Sequence, residues 1–208
     1  MRKVTFDISM SLDGYITGPD NSSEHPLGEN GEMLHQWLYR LASWRKRHGI
    51  SSGKINKVNK DAKVVEESFK STGAVIMGRR MYDHGVKYWG DNPPFHVPVF
   101  VLTHERKEKI VKEGATSFTF VTDGIKSALL QAKAAAGNKN VAIAGGADTA
   151  RQFMKAGLLD EMQIHFVPIL LGGGIRLFDR LDSGPITLKR NRVIESTGVT
   201  HIRFRVSK

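Results

Sequence analysis

The stretch VAIAGGADTARQFMKAG, residues 141–157, joins a short apolar run to a helical pattern through two adjacent glycines. The run VAIA at 141–144 is typical of a strand covered on both faces. The segment that follows the glycines mixes polar and apolar residues as an amphipathic helix does. Glycine weakens regular structure, so a pair at this junction indicates that bare backbone is needed there. A buried strand that leads directly into a helix favours an α/β fold.

The rest of the chain repeats this alternation. Strand-like segments, several of them nearly continuous apolar runs, lie at 3–9, 74–77, 97–103, 117–121 and 162–171. Helical patterns lie at 31–49, 59–73 and 122–137, and each ends near a glycine suited to a left-handed C-cap. The apolar stripe of the first helix consists of Met33, Leu34, Trp37, Leu38 and Leu41.

The C-terminal segment has a different pattern. Residues 186–195 and 199–206 alternate apolar and polar side chains and are joined by the short turn STG, which predicts an antiparallel hairpin. We therefore predict a three-layer α/β fold: a mostly parallel central sheet, helices on both faces, and this hairpin at the edge. The chain shows neither an internal repeat nor a Pro- or Ser-rich linker, so we expect one domain over 1–208.

The composition is that of an ordinary soluble globular protein. Of 208 residues, 40% are hydrophobic and 25% are charged, and no apolar run is long enough for a membrane helix. The N-terminus alternates like a strand and lacks a secretory leader pattern, so we expect a cytoplasmic protein. The chain has no cysteine, which excludes disulfides, thiolate metal sites and cysteine nucleophiles.

The net charge of +10 raises the question of nucleic-acid binding. Much of this excess lies between Trp44 and Lys63, where seven basic residues accompany a single acidic one, Asp61. We interpret residues 45–60 as a basic, flexible insertion. Its positive field would also attract a phosphorylated substrate or cofactor.

Glycines and basic residues collect at the predicted carboxyl ends of the strands. In an open α/β sheet these ends share one edge, where loops meet helix N-termini and ligands bind. A phosphate-rich cofactor needs such unobstructed N–H groups together with Arg side chains. The alternative for any single glycine is that it only makes a turn. The candidates at this edge are Ser11, Asp13, Gly14, Gly78, Arg79, Arg80, Thr103, His104, Gly145, Gly146 and Gly173.

Several familiar motifs are absent from the sequence. It contains no G-x-G-x-x-G after a strand, no phosphate-loop motif, no H-E-x-x-H and no G-x-S-x-G. The eight histidines lack ligand spacing, so we expect no metal. His165 lies in an apolar strand and is interpreted as a hydrogen-bonded core residue. Trp89 could stack on a planar ligand or anchor a loop.

Four stretches taken together resemble a known family. They are SLDGYI after the first strand, VIMGRRMY, VPVFVLTHE and IAGGADTARQFMKAGLLDEMQIHFVPILLGGGIRLF. Their order and spacing resemble the dihydrofolate-reductase-like proteins, and more closely the reductase domain of the bifunctional riboflavin-biosynthesis deaminase-reductase and its stand-alone relatives. The resemblance covers residues 3–206 and is weakest near 45–60. It implies NADPH-dependent reduction of a small heterocycle, as by 5-amino-6-(5-phosphoribosylamino)uracil reductase.

The resemblance also implies how NADPH is held. Gly145 and Gly146 would let the pyrophosphate approach the N-terminus of the next helix, at Ala147, Asp148 and Thr149. Their shared peptide bond would be cis. Gly78, Arg79 and Arg80 would lie beside the phosphates, and Thr103 and His104, with Arg106 near, would flank the adenosine 2′-phosphate.

On the substrate side we expect Ser11, Asp13, Gly14, Trp89 and Gly173. Asp13 is the candidate catalytic residue, able to orient a polar ring or relay a proton through water, although it could equally be a turn residue in LDG. Dihydrofolate reductases carry an acidic residue in the helix after the first strand. Here that helix offers only Glu32, which argues against dihydrofolate itself as substrate.

Two alternatives to this reading stay open. One is a reductase of the same fold acting on a pterin-like or unrelated small molecule. The other, from a different class, is a non-catalytic nucleotide- or nucleic-acid-binding protein that uses the basic insertion, although we expect no nucleic-acid partner. The resemblance further implies a homodimer.

Overall fold

The computed structural model describes residues 2–50, 59–181 and 184–207, so most of the predicted insertion, residues 51–58, lies outside the described residues. The strands are β1 (Val4–Ser11), β2 (Tyr15–Thr17), β3 (Thr72–Gly78), β4 (Pro98–Leu102), β5 (Ile110–Val111), β6 (Ser117–Val121), β7 (Asn140–Ala144), β8 (Glu161–Val167), β9 (Ile175–Arg176), β10 (Leu188–Ser196) and β11 (Val199–Val206). The helices are a 3₁₀ helix (Gly31–His35), α1 (Gln36–Tyr39), α2 (Ala42–Arg47), α3 (Lys60–Ser71), α4 (Arg79–Trp89), α5 (Gly124–Ala135) and α6 (Ala147–Lys155).

Nine strands form the central sheet in the order β10-β11-β8-β1-β7-β3-β4-β6-β5. The six strands from β8 to β6 in this order run parallel to their neighbours. β11 pairs antiparallel with β8, β10 pairs antiparallel with β11, and β5 pairs antiparallel with β6. The predicted fold class and C-terminal hairpin are thus confirmed. β2 and β9 form a separate small antiparallel sheet.

Alternating residues of the central strands build a core on each face of the sheet. In β3, Ile76 belongs to the core that contains α5 and α6, whereas Val75 and Met77 pack in the core that contains Tyr82 of α4. A third cluster joins the 3₁₀ helix, α1 and α3 to Val167 and Val199. The side chains of a strand point alternately to opposite faces, so this division produces the three layers.

The predicted helix over 31–49 was wrong as a continuous element. The segment is divided into the 3₁₀ helix, α1 and α2, and Leu41 adopts an extended conformation with ψ 128° between the last two. Leu34, Trp37 and Leu41 are buried together against Val167 and Val199, whereas Met33 is 42% exposed. Packing against the end of β8 therefore bends the chain at Leu41, although the spacing of its apolar residues fits a continuous helix.

Further differences concern short features. The strands β2, β5 and β9 have only two or three residues each and were not predicted. The long predicted strand over 162–171 ends at Val167. The peptide bond between Gly145 and Gly146 is trans, which corrects the expectation of a cis bond. Among the described residues, no helix is both long and apolar enough to cross a membrane.

Candidate functional site

A cleft of about 1020 Å³ lies at the carboxyl ends of β3, β4, β6 and β7. It extends to Ile8 of β1, Ile16 of β2 and Ile175 of β9. Every residue predicted to bind the cofactor lines it: Gly78, Arg79, Arg80, Thr103, His104, Gly145, Gly146, Ala147, Asp148 and Thr149. The parallel strand order explains this gathering, because parallel strands bring their carboxyl ends to one edge.

Two helix N-termini meet inside the cleft. α4 begins after Gly78 and α6 begins after Gly146, and because both N-cap residues are glycines, no N-cap side chain occupies the first N–H groups of either helix. A Cβ atom on Gly78 would lie 2.7 Å from Thr149 Oγ1, so only glycine lets the two helix starts approach this closely. The first N–H groups of a helix have no intrahelical acceptor and carry a partial positive charge. This arrangement suits a ligand with neighbouring anionic groups.

The two adjacent glycines of the 145–146 pair have different surroundings. Both have positive φ, 58° for Gly145 and 66° for Gly146. A Cβ on Gly145 would lie 2.2 Å from Met81 Sδ, so the Met81 side chain covers this glycine. A Cβ on Gly146 would have only Thr149 Oγ1 near it, at 3.8 Å. Gly146 therefore presents open backbone to the cleft, whereas Gly145 accommodates a neighbouring side chain.

Charged residues concentrate around Arg79. Its Nε donates to both carboxylate oxygens of Asp83 at 2.8 and 2.9 Å, and its Nη1 donates to Glu105 at 2.8 Å and to Thr103 Oγ1 at 3.2 Å. The hydrogen bonds that Arg79 donates to Asp83 and Glu105 raise the pKa of its guanidinium, and Arg79 in turn lowers the pKa of Glu105. The adjacent Arg80 donates to Asn21 Oδ1.

The end of the cleft next to β1, β2 and β9 is largely apolar. Ile8, Ile16, Leu27 and Ile175 line it, and His35, the last residue of the 3₁₀ helix, is the titratable side chain that the structure describes there. Burial lowers the pKa of His35 to about 4, so its imidazole is neutral at pH 7 and offers one donor and one acceptor.

His35 was missed in the sequence because it lies within a helical pattern and its neighbours fit a core stripe. The signal that could have found it is a polar residue between Leu34 and Trp37, next to that stripe. Met81 and Glu105 were also missed, although each lies beside predicted site residues.

Asp13 joins two loops and is not among the described residues that line the cleft. Its Oδ1 accepts from Ser11 Oγ at 2.6 Å, and its carboxylate accepts from the backbone N–H groups of Leu171 at 3.2 Å and Gly172 at 2.8 Å. These hydrogen bonds, that of Ser11 above all, lower the pKa of Asp13 to about 2. The geometry connects the loop after β1 to the loop after β8.

The other predicted substrate-side residues divide between the cleft and its surroundings. Ser11, Gly14 and Gly173 do not belong to the cleft lining that the structure describes. Trp89 borders the cleft, but its ring stacks on Phe118 at 5.8 Å and meets Phe95 edge-on at 4.8 Å. Trp89 therefore anchors an aromatic cluster, with part of its side chain reaching the cleft wall.

His165 is a hydrogen-bonded core residue, as predicted. Its Nδ1 lies 2.7 Å from Nδ1 of His201, whose Nε2 lies 3.0 Å from Asp61 Oδ1. All three side chains are buried, and the indole of Trp37 packs against both imidazoles. The part of the chain that the structure describes contains no cluster of His, Asp or Glu that could hold a metal ion.

A family model and a relative of similar length both match most of this chain. The family model of the RibD C-terminal domain matches residues 2–201. The uncharacterized protein YwjB of Bacillus subtilis (strain 168) is 33% identical over 186 residues, which cover 86% of this chain and 84% of that protein.

Solved structures share the fold. The crystal structure of the "Putative riboflavin biosynthesis protein" from Shewanella sp. PV-4 is 25% identical with a TM-score of 0.66, and the match covers 99% of both chains. Dihydrofolate reductase from Enterococcus faecalis, solved with NADP(H), is 11% identical with a TM-score of 0.56 over 99% of this chain and 97% of that chain, a likeness of fold alone. With the family model matching nearly its whole length, this chain belongs to the RibD C-terminal domain family.

Proposed function

We propose that this protein is an NADPH-dependent reductase of a small heterocyclic substrate, similar to 5-amino-6-(5-phosphoribosylamino)uracil reductase. Its family supports a reductase of the kind found in riboflavin biosynthesis. The observation that carries the proposal is the junction of two helix N-termini at Gly78 and Gly146, with open backbone at Gly146.

The described residues fit a dinucleotide in their chemistry. Bound NADPH would supply a hydride from its nicotinamide C4. Ala147, Asp148 and Thr149 form the first turn of α6 and line the cleft, so their free N–H groups would bind the pyrophosphate. Arg80, which donates to the neutral Asn21, supplies positive charge beside them, and Arg79 lies next to it in its ion pairs with Asp83 and Glu105. The charged residues lie around α4 and the loop after β4, so we assign the adenosine half to that end.

The apolar end then takes the nicotinamide ring and the substrate. Ile8, Ile16 and Leu27 exclude water from the reacting atoms, and His35 and Thr17 supply hydrogen bonds. A neutral imidazole suits the ring nitrogens and carbonyls of a pyrimidine, because it can donate and accept at once. Holding the reacting partners in contact is the main contribution that such a site makes to the rate.

In this proposal Asp13 is a positioning residue. Its hydrogen bonds to Leu171 and Gly172 hold the loop that leads into β9, and Ile175 of β9 lines the apolar end of the cleft. Glu32 is exposed and stands outside the described cleft lining. Of the described residues that line the apolar end, none is acidic, which favours a heterocycle other than dihydrofolate.

The alternative of nucleic-acid binding finds less support. Arg47, one of the described basic residues of the 45–60 segment, donates to the carbonyl oxygens of Pro94 and Phe95 and lies over the ring of Phe69 at 4.2 Å. Lys60 donates to the carbonyl oxygen of Glu195. Salt-dependent RNA or DNA binding that is lost on deletion of residues 45–60 would favour this alternative.

We also propose that the protein is a homodimer, and sedimentation equilibrium would measure its molecular mass in solution.

The decisive experiment compares Gly146→Val with Gly137→Val in fluorescence titrations with NADPH. Gly137 has a similar φ of 60° and open surroundings but lies away from the cleft, so it controls for the cost of a branched residue in left-handed backbone. We expect micromolar-range binding by the wild type and by Gly137→Val. Gly146→Val should weaken binding about tenfold or more, corresponding to about 1.4 kcal/mol. Equal affinities for the two variants would contradict the proposed site.

A further inference from the structure

At the adenosine end of the cleft, the guanidinium of Arg79 is already bound by two carboxylates. Asp83 is the residue one helical turn further along α4 and takes Nε, while Glu105 comes from the loop after β4 and takes Nη1 at 2.8 Å. All three residues line the cleft. One positive and two negative charges meet there, so an anion that approaches Arg79 competes with the two carboxylates for its guanidinium.

Glu105 is the carboxylate that an incoming anion can replace. Its side chain is 68% exposed, whereas that of Arg79 is 27% exposed, so Glu105 approaches the guanidinium from the solvent side. Asp83 is held to Arg79 through both of its oxygens on the same helix. The backbone N–H of Glu105 donates to Thr103 Oγ1 at 3.1 Å, which keeps the loop in place when the side chain moves. The Glu105 carboxylate therefore occupies the position of an exchangeable anion.

The two nicotinamide dinucleotides differ in the group they would bring to this position. NADPH carries a phosphate on the adenosine ribose, and NADH carries a hydroxyl. In dinucleotide sites an arginine accommodates the 2′-phosphate, whereas an acidic side chain accepts a hydrogen bond from the 2′-hydroxyl. Here the two residue types face the same cleft and are bound to each other.

We propose that the Arg79–Glu105 ion pair sets the discrimination between NADPH and NADH. This inference rests on the proposed function. A 2′-phosphate displaces Glu105 and takes over Arg79 Nη1, and the carboxylate turns to solvent. A 2′-hydroxyl donates to Glu105 while the pair stays intact. Glu105 is thus a specificity residue that weakens NADPH binding and permits NADH binding.

The test is the ratio of the dissociation constants for NADPH and NADH in Glu105→Gln, measured by fluorescence titration. The amide keeps the shape of the side chain but neither repels the phosphate nor holds Arg79 as an ion pair. We expect NADPH to bind about threefold to tenfold more tightly, since exposed ion pairs are weak, and NADH to bind unchanged or slightly more weakly. Competition by 2′,5′-ADP should improve in parallel, and competition by 5′-AMP should not.

The matched control is Glu108→Gln. Glu108 is an exposed glutamate of the same loop that does not line the cleft, so its substitution changes the net charge equally. An equal change of the ratio in both variants, or no change in Glu105→Gln, would overturn the inference and leave the proposed function standing. A wild-type protein that binds neither dinucleotide would overturn both.

Discussion

At the scale of single residues, Gly145 and Gly146 show that identical neighbours in the chain can serve different purposes. Gly146 leaves backbone open to the cleft, and Gly145 provides the space that Met81 fills. From the sequence, both glycines were expected to let a ligand approach the backbone. The contact of Met81 with Gly145 joins the start of α4 to the end of β7, and no local sequence pattern predicts it.

This contact leads to a prediction for Gly145→Ala. The new Cβ would lie 2.2 Å from Met81 Sδ, and alanine at φ 58° costs about 1–2 kcal/mol for its left-handed conformation alone. We expect Gly145→Ala to lower the free energy of unfolding by about 2 kcal/mol or more. Met81→Ala should remove the steric part, so the double variant should lose less stability than the sum of the single variants. Urea denaturation of the four proteins measures this coupling, and strict additivity would contradict the contact.

At the scale of secondary-structure elements, helices with a clear start and a buried stripe were predicted within a few residues. α3, α5 and α6 lie inside the predicted ranges 59–73, 122–137 and 147–157. The segment 31–49 failed, because its apolar residues fit a helical period but are buried around a bend at Leu41.

The start of α3 allows a test of how far a local capping residue stabilises a helix. Asn59 is the N-cap residue, and its Oδ1 accepts from the backbone N–H of Ala62 at 2.8 Å. We predict that Asn59→Ala lowers the free energy of unfolding by about 1 kcal/mol, whereas Asn59→Asp keeps the cap and most of the stability. Chemical denaturation of both variants checks the prediction, and equal losses would show that the cap itself contributes nothing.

At the scale of the whole molecule, the buried pair His165–His201 links β8 to β11 and, through Asp61, to α3. Burial, followed by the charge of His201, holds the pKa of His165 well below its usual 6.5, and burial also lowers that of His201. In the unfolded chain both imidazoles return to ordinary pKa values. The unfolded state therefore binds more protons than the folded state once the pH falls below about 6.5.

We predict that the contribution of this histidine pair to the free energy of unfolding is fully present at pH 7.5 and declines as the pH falls through 6.5. For His165 alone the loss should be about 1 kcal/mol at pH 5.5, because the folded state resists the proton that the unfolded state accepts. Urea denaturation at pH 7.5 and 5.5 measures it, with His165→Gln as comparison. The variant should lose about 1 kcal/mol less than the wild type between these pH values. An identical pH dependence in both proteins would refute the role of His165.

Some residues of the candidate site could be predicted from the sequence, and others could not. Residues at or just after the ends of strands, such as Gly78 and Gly146, could be placed at the cleft from the sequence, because parallel topology brings strand ends to one edge. His35 and Glu105 could not be assigned roles, since their significance depends on which side chains face them across the cleft. Asp13, our sequence-based candidate for catalysis, lies in a hydrogen-bond network between two loops, and its catalytic role stays a prediction.

Local sequence patterns were sufficient to predict the strand–helix alternation, the parallel sheet with its terminal hairpin, and the sheet edge where glycines and arginines collect. These properties follow from periodicity and backbone chemistry, which act over a few neighbouring residues. Three features appear only in the folded protein: Met81 covers Gly145, Glu105 neutralises Arg79, and His35 lies at the apolar end of the cleft. Each of these joins residues far apart in the chain, and such contacts depend on the packing of whole elements, which no local pattern encodes.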